Sequence, residues 1–212
     1  MKIALIGASG FIGSALLDEA LARGHEVKAL VTRPERLSPR EGLEAVKSDV
    51  MDAAALTEQL RGAEVVLSAF SGHAQEDVYG YYVQGFDTIL AATRAAGVPR
   101  LLVVGGAASL EVAPGQLLLD APGFPDAYRA TAEGAKTALE RLRAQQAQAW
   151  TMLSPAAEIF PGERTGTFRQ GGDGLLSDAE GQSRISVQDY AVAMLDELET
   201  PRHPNRRFSV AY

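Results

Sequence analysis

The chain has 212 residues, no cysteine and a formal net charge of −7. That length suits one α/β domain with a substantial core, spanning residues 1–212. The missing thiol excludes disulfides, thiolate nucleophiles and cysteine metal sites, and an acidic chain without a clustered basic face argues against nucleic acid as a partner. No metal site is expected.

The chain opens on the apolar run Lys2 to Ile6, which reads as a buried strand. Gly7, Gly10 and Gly13 follow at GxxGxxG spacing, and Ile12, Leu16, Leu17, Ala20 and Leu21 then recur at helical spacing. Each glycine has a physical task in a strand, turn and helix of this kind. Gly7 permits a sharp turn, Gly10 permits backbone to approach a pyrophosphate, and Gly13 permits close packing of helix on strand. The backbone of Ser9, Phe11 and Ile12 belongs to the same turn, and the helix N-terminus offers unpaired amides to phosphate. A glycine cluster alone would also fit a plain turn. Here Gly24 closes the helix and a second strand runs from Glu26 to Val31, so the complete βαβ context points to a dinucleotide site. The interruption of the apolar start by Gly7 and Gly10 argues against a signal peptide.

After the polar loop Thr32 to Arg40, a strand is expected near Leu43 to Lys47. Asp52 caps a helix that Gly62 ends, and Glu64 to Ala69 forms the next strand. A long helix from about Glu76 to Ala96 stops at Gly97-Val98-Pro99, and Arg100 to Val104 is another buried strand. A helix over about Pro125 to Gln146 and a strand at Trp150 to Leu153 continue the alternation. Beyond Pro155 the pattern loosens. Ser183 to Ser186 reads as a short strand, Ser186 and Asp189 as an S-x-x-D cap of a helix through Leu198, and Arg206 to Ala211 as a closing strand. The expected architecture is α/β: a doubly wound parallel sheet with helices on both faces, ligand at the carboxyl ends of the strands, and a small C-terminal appendage, 155–212, facing the substrate. No segment approaches the length of a membrane span, so a soluble, cytoplasmic protein without a membrane partner is expected.

Taken in order, Gly7, Gly10, Gly13, Thr32-Arg33, Asp49-Val50, Ser68-Ala69-Phe70, Val104-Gly105-Gly106, Lys136 and Ser154-Pro155 resemble the atypical short-chain dehydrogenase/reductase superfamily. Within it the chain is similar to the Rossmann-like NAD(P)H-binding group that includes NmrA-like and biliverdin reductase B-like proteins, and many sequences labelled NAD-dependent epimerase/dehydratase. The resemblance covers essentially the whole chain. Arg33 stands about twenty residues beyond Gly13, where an acidic residue would hold the ribose of NAD; an arginine suits a 2′-phosphate, so NADP is preferred over NAD. Arg36 is a second phosphate candidate, and either arginine has the plainer reading of a solvated loop residue. The resemblance implies that Asp49 and Val50 hold adenine, that Ser68, Ala69, Phe70 and Gly105 line the cofactor, and that Pro155 meets the carboxamide.

In most of that superfamily a tyrosine four residues before a lysine donates the proton while the lysine binds the nicotinamide ribose. Here Ala132 precedes Lys136 at that spacing. Lys136 keeps a ribose-binding role or is a solvated helix lysine. Ser109 stands near the family's serine with a shifted alignment, and Tyr128, one turn before Ala132, is a substitute donor or a packing residue. His73, Phe160, Phe168 and Arg169 are substrate-contact candidates, the last three as an aromatic wall and anion clamp in a segment covering the nicotinamide end. The missing tyrosine shapes the expected chemistry. An unactivated ketone needs a proton at its developing alkoxide, whereas a flavin or quinone delocalises charge and draws its proton from water. The expectation is an NADPH-dependent reductase acting on a small conjugated acceptor. The alternatives are an NmrA-like redox sensor without turnover and, third, an epimerase or dehydratase. The resemblance also implies pairing of two copies through the helix at 76–96 and the helix of Lys136 as one option, with a monomer as the other.

Overall fold

A computed structural model describes residues 1–73 and 75–212. The elements in order are β1 (Lys2–Ile6), α1 (Phe11–Ala22), β2 (Glu26–Val31), β3 (Leu43–Lys47), α2 (Ala53–Leu60), β4 (Val65–Ser68), α3 (Val78–Ala95), β5 (Arg100–Val104), β6 (Glu111–Ala113), β7 (Gln116–Leu117), α4 (Asp126–Ala144), β8 (Ala149–Ser154), β9 (Glu158–Phe160), β10 (Arg169–Gly171), β11 (Arg184–Ser186), α5 (Val187–Glu199) and β12 (Arg206–Ala211). Short 3₁₀ turns occupy Pro34–Arg36 and Leu118–Asp120.

Eight strands form one sheet in the order β10-β12-β8-β5-β4-β1-β2-β3, parallel throughout except for β10. Alternate side chains of each inner strand enter separate cores, as the two-residue period of a strand requires. Ile3 and Leu5 pack with Leu16 of α1 and Tyr190 of α5. Ala4 and Ile6 pack on the other face with Leu56 of α2, Phe86 of α3 and Leu139 of α4. The order reverses between β1 and β4, which is the switch point where such sheets open a crevice.

The expected caps are present. Asp52 accepts from the Ala55 amide, and Ser186 accepts from Asp189, with Gly24 and Gly62 at φ +78° and +81°. Four strands lie where the sequence showed only loop: β6 and β7, which form a hairpin, β9, which pairs with β11, and β10 at the sheet edge. The C-terminal part is correspondingly less of an appendage than its composition suggests. Helix α5 packs on α1 and β12 lies beside β8, so much of 155–212 completes the domain core. Among the described residues no helix is long and apolar enough to cross a membrane.

Candidate functional site

The first half of the site is the turn between β1 and α1. Gly7 sits at φ +81°, and its amide donates to the Leu30 carbonyl at 3.0 Å. A Cβ on Gly7 would fall 2.5 Å from the Ala69 carbonyl oxygen, and one on Gly13 would fall 2.0 Å from the Gly7 carbonyl oxygen. The fold itself therefore demands both glycines. Gly10 is different, because its Cβ would come no nearer than 3.4 Å to any atom beyond its chain neighbours. Its bare backbone borders open space, which is what a pyrophosphate needs for close approach. Gly10 caps α1 without a side-chain hydrogen bond, and the first turn of α1 carries no acidic residue. The amides of Phe11, Ile12 and Gly13 find no acceptor among the described residues, so three donors and the positive end of the helix point at the crevice. This cradle fits the phosphates of a dinucleotide.

Arg33 precedes the 3₁₀ turn after β2 and Arg36 ends it, both exposed, and neither guanidinium has a carboxylate or hydrogen-bond partner among the described residues. Asp49 is exposed beyond β3 and accepts the Met51 amide at 2.9 Å, while Val50 is buried beneath Gly85. Tyr81, on a helix whose aromatic residues suit core, active-site wall or dimer face from sequence, joins them. Burial, with the Asp49 carboxylate second, pushes its phenol above the ordinary tyrosine range. Ser68 ends β4 in the core, and the Ala69 amide donates to the Ile6 carbonyl at 2.9 Å, holding the β4 exit against the glycine turn. Phe70 follows, its ring 5.8 Å from that of Tyr82 and nearly parallel to it.

The second half is a cavity of about 620 Å³ at the carboxyl ends of β1, β4, β5 and β8, within the range that holds a small ligand. It begins at Gly10–Gly13 and is bounded by Ala69, Phe70, Gly105 and Gly106. Tyr128, Thr131, Ala132 and Ala135 form its α4 wall, at helical i, i+3, i+4, i+7 spacing. The segment Leu118–Pro125 and Ile159 close the far side. His73 reaches the same wall, with Nδ1 3.2 Å from Thr131 Oγ1. Tyr82 lines the cavity while only 7 % exposed, and burial holds its phenol protonated far above the ordinary range. A second hollow, of about 510 Å³, lies at the amino ends of β1, β2 and β3, the pole opposite the glycine turn.

Of the expected residues, the fold brings Gly10, Phe11, Ile12, Gly13, Ala69, Phe70, His73, Gly105, Tyr128 and Pro155 to this one cavity. It does not bring Ser109, because that hydroxyl is buried and takes a 2.8 Å hydrogen bond from Arg207 of β12. Lys136 lies outside the lining, with Nζ 3.4 Å from Glu140 one turn further along α4. The expected wall and clamp of Phe160, Phe168 and Arg169 lie elsewhere. Phe160 packs at the edge of Tyr212 under the Arg184 guanidinium, and Phe168 packs, partly buried, against the core on the sheet face that carries α1 and α5. Arg169 Nε donates to the Tyr212 carbonyl at 3.1 Å, and another of its nitrogens donates to the Ser177 carbonyl at 2.8 Å. The reason is the anchoring of the preceding loop. Asp189, fully buried, accepts from Thr165 Oγ1 and the Gly166 amide, which holds the segment on α5 and outside the cavity lining. Sequence reading also missed Phe124 and Ile159. The α4 stripe was legible in its spacing, whereas nothing local marked Leu118–Pro125 as a wall.

A glycine cradle at a helix N-terminus, set at the switch point of a doubly wound sheet, defines a dinucleotide-binding protein of the Rossmann-like class. The chain belongs to the NAD(P)H-binding family, whose model matches residues 7–198. It is 40 % identical to the uncharacterized protein YwnB of Bacillus subtilis (strain 168), over 99 % of this chain and 98 % of that protein. Among solved structures, a candidate epimerase from Bacteroides thetaiotaomicron is 43 % identical over 100 % of this chain and 96 % of its own, with a TM-score of 0.93. A candidate NADH-flavin reductase from Streptococcus pneumoniae TIGR4 is 34 % identical over 100 % and 99 %, with a TM-score of 0.87.

Proposed function

We propose that this protein is an NADPH-dependent reductase that transfers hydride to a small conjugated acceptor of the flavin or quinone kind, and that it works in the cytoplasm. One observation carries the reading: an apolar cavity continuous with the glycine cradle presents Ala132 where the resembled superfamily has its proton-donating tyrosine. Reduced nicotinamide, when bound, supplies the hydride. The protein's own part is to bind and to orient. The amides of Phe11 to Gly13 hold phosphate, Arg33 and Arg36 offer cationic donors at the end where a 2′-phosphate would lie, and the α4 stripe forms a wall for the acceptor. One hydride from the cofactor and one proton from solvent convert a quinone to its hydroquinone, so no side-chain acid is required. The flavin-reductase relative supports this reading.

The test is a titration with NADPH, NADH and their oxidised forms, followed by quinone, flavin and simple ketone acceptors. Oxidation of NADPH on the conjugated acceptors, with ketones inert, is the expected result. Tight cofactor binding with no oxidation by any acceptor would replace the reductase with a redox sensor, the reading that the missing tyrosine also favours.

A further inference from the structure

We infer that the cavity selects an uncharged planar ring and rejects the same ring when it carries an anionic group. This rests on the cavity being the acceptor site and adds the chemical class of the acceptor. The described lining contains no arginine, lysine, aspartate or glutamate. Its surface is built chiefly from Phe11, Leu118, Pro122, Phe124, Tyr128 and Ile159, with alanine and glycine between them and the neutral side chains of Ser71 and Thr131 among its few polar groups. Phe11 and Tyr128 are 50 % and 63 % exposed, leaving aromatic surface free for a flat ring. The one imidazole, His73, is engaged with Thr131.

The cations nearest along α4 do not belong to the lining. Arg129 lies over the Phe124 ring at 5.6 Å and has Nε 3.5 Å from Asp126 Oδ1, and Lys136 faces Glu140. An anionic group drawn into this space would lose its water and gain no counter-charge. The cofactor makes the exclusion stronger, because its phosphates belong at the turn whose Gly10, Phe11 and Gly13 also border the cavity, and like charges repel across a poorly screened gap. A neutral ring meets neither penalty.

The experiment compares naphthoquinone with the naphthoquinone that carries a ring sulfonate. Binding to the NADP-saturated protein is followed by calorimetry, and NADPH oxidation is followed separately. The sulfonate withdraws electrons and makes the ring the stronger oxidant, so intrinsic reactivity works against the proposed preference. Binding of the unsubstituted quinone at least tenfold tighter than the sulfonate is expected, with Thr131→Arg narrowing or reversing the ratio by adding a cation to the wall. Equal or tighter binding of the sulfonate, or no binding of the neutral quinone, overturns the inference. Neutral-ring binding without NADPH oxidation leaves this selectivity standing and refutes the reductase reading instead.

Discussion

Glu19 and Arg164, 145 positions apart, form a two-pronged ion pair in which Arg164 Nε and Nη2 each lie 2.7 Å from a carboxylate oxygen. Glu19 is 7 % exposed on α1 and also takes Arg23 Nε at 2.7 Å, so one carboxylate holds two guanidinium groups and clips the 161–168 loop to the first helix. Hydrogen bonding from Arg164 is the main cause that holds its carboxyl below the ordinary value of 4.5. A carboxyl whose pKa is depressed by folding stabilises the native state above its unfolded pKa, and that contribution fades as pH falls through the folded value. Urea unfolding should therefore show wild type losing stability below about pH 4.5 more steeply than Glu19→Gln. At neutral pH, Glu19→Ala should cost about 1.5 kcal/mol through its lost charged hydrogen bonds, because Arg23 keeps Asp196 and Glu199 and Arg164 is solvent-exposed. Arg164→Ala, at the exposed end of the pair, should cost only about 1 kcal/mol.

The glycines of the turn separate a demand of the fold from a demand of the ligand. Gly13→Ala places a methyl group 2.0 Å from the Gly7 carbonyl oxygen and should cost about 3 kcal/mol in thermal or urea unfolding. Gly10→Ala meets nothing closer than 3.4 Å and should leave stability within about 0.5 kcal/mol of wild type. Its NADPH affinity should nevertheless fall by roughly tenfold or more, about 1.4 kcal/mol, because the methyl group stands where phosphate would approach. Unchanged NADPH affinity in Gly10→Ala would place the phosphates elsewhere.

Cofactor choice is tested at Arg33. Loss of a charged hydrogen bond to a 2′-phosphate is worth about 1.5 kcal/mol, so Arg33→Ala should weaken NADPH roughly tenfold and leave NADH unchanged. Parallel weakening of both cofactors would assign Arg33 to the general field of the crevice instead.

Ser109 belongs to the scaffold in this structure. Its hydroxyl and carbonyl accept from one Arg207 nitrogen at 2.8 and 2.9 Å, and Arg207 Nε donates to Asp173 at 2.7 Å. Ser109→Ala should lower stability by about 1 kcal/mol and leave NADPH oxidation on a quinone unchanged. A large fall in turnover with stability intact would restore it to the catalytic group.

Tyr128 lies at the cavity mouth, largely in solvent, a poor place for a positioned acid. Tyr128→Phe should therefore leave quinone reduction near the wild-type rate. If simple ketones are reduced by wild type and lost in Tyr128→Phe, the proton-from-solvent reading fails.

Much of this molecule was legible in one dimension because its signals are local. The run Lys2–Ile6, the three spaced glycines, the Asp52 and Ser186 caps and the alternation of periods each depend on a few neighbouring residues. They were enough to specify the order of elements, the dinucleotide cradle and a parallel sheet. What the tertiary structure alone decided are partnerships across long separations. Phe160, Phe168 and Arg169 follow a strand end and look available for substrate. Yet Asp189 and Glu19 capture the loop between them, and β10 finds its pairing on β12. Ser109 and Lys136 have the right residue types at nearly the right spacing, but Arg207 and Glu140 claim their polar ends. A side chain's reach to a ligand depends on which competing partner lies nearer in space, and that competition is settled only when the sheet brings distant strands together.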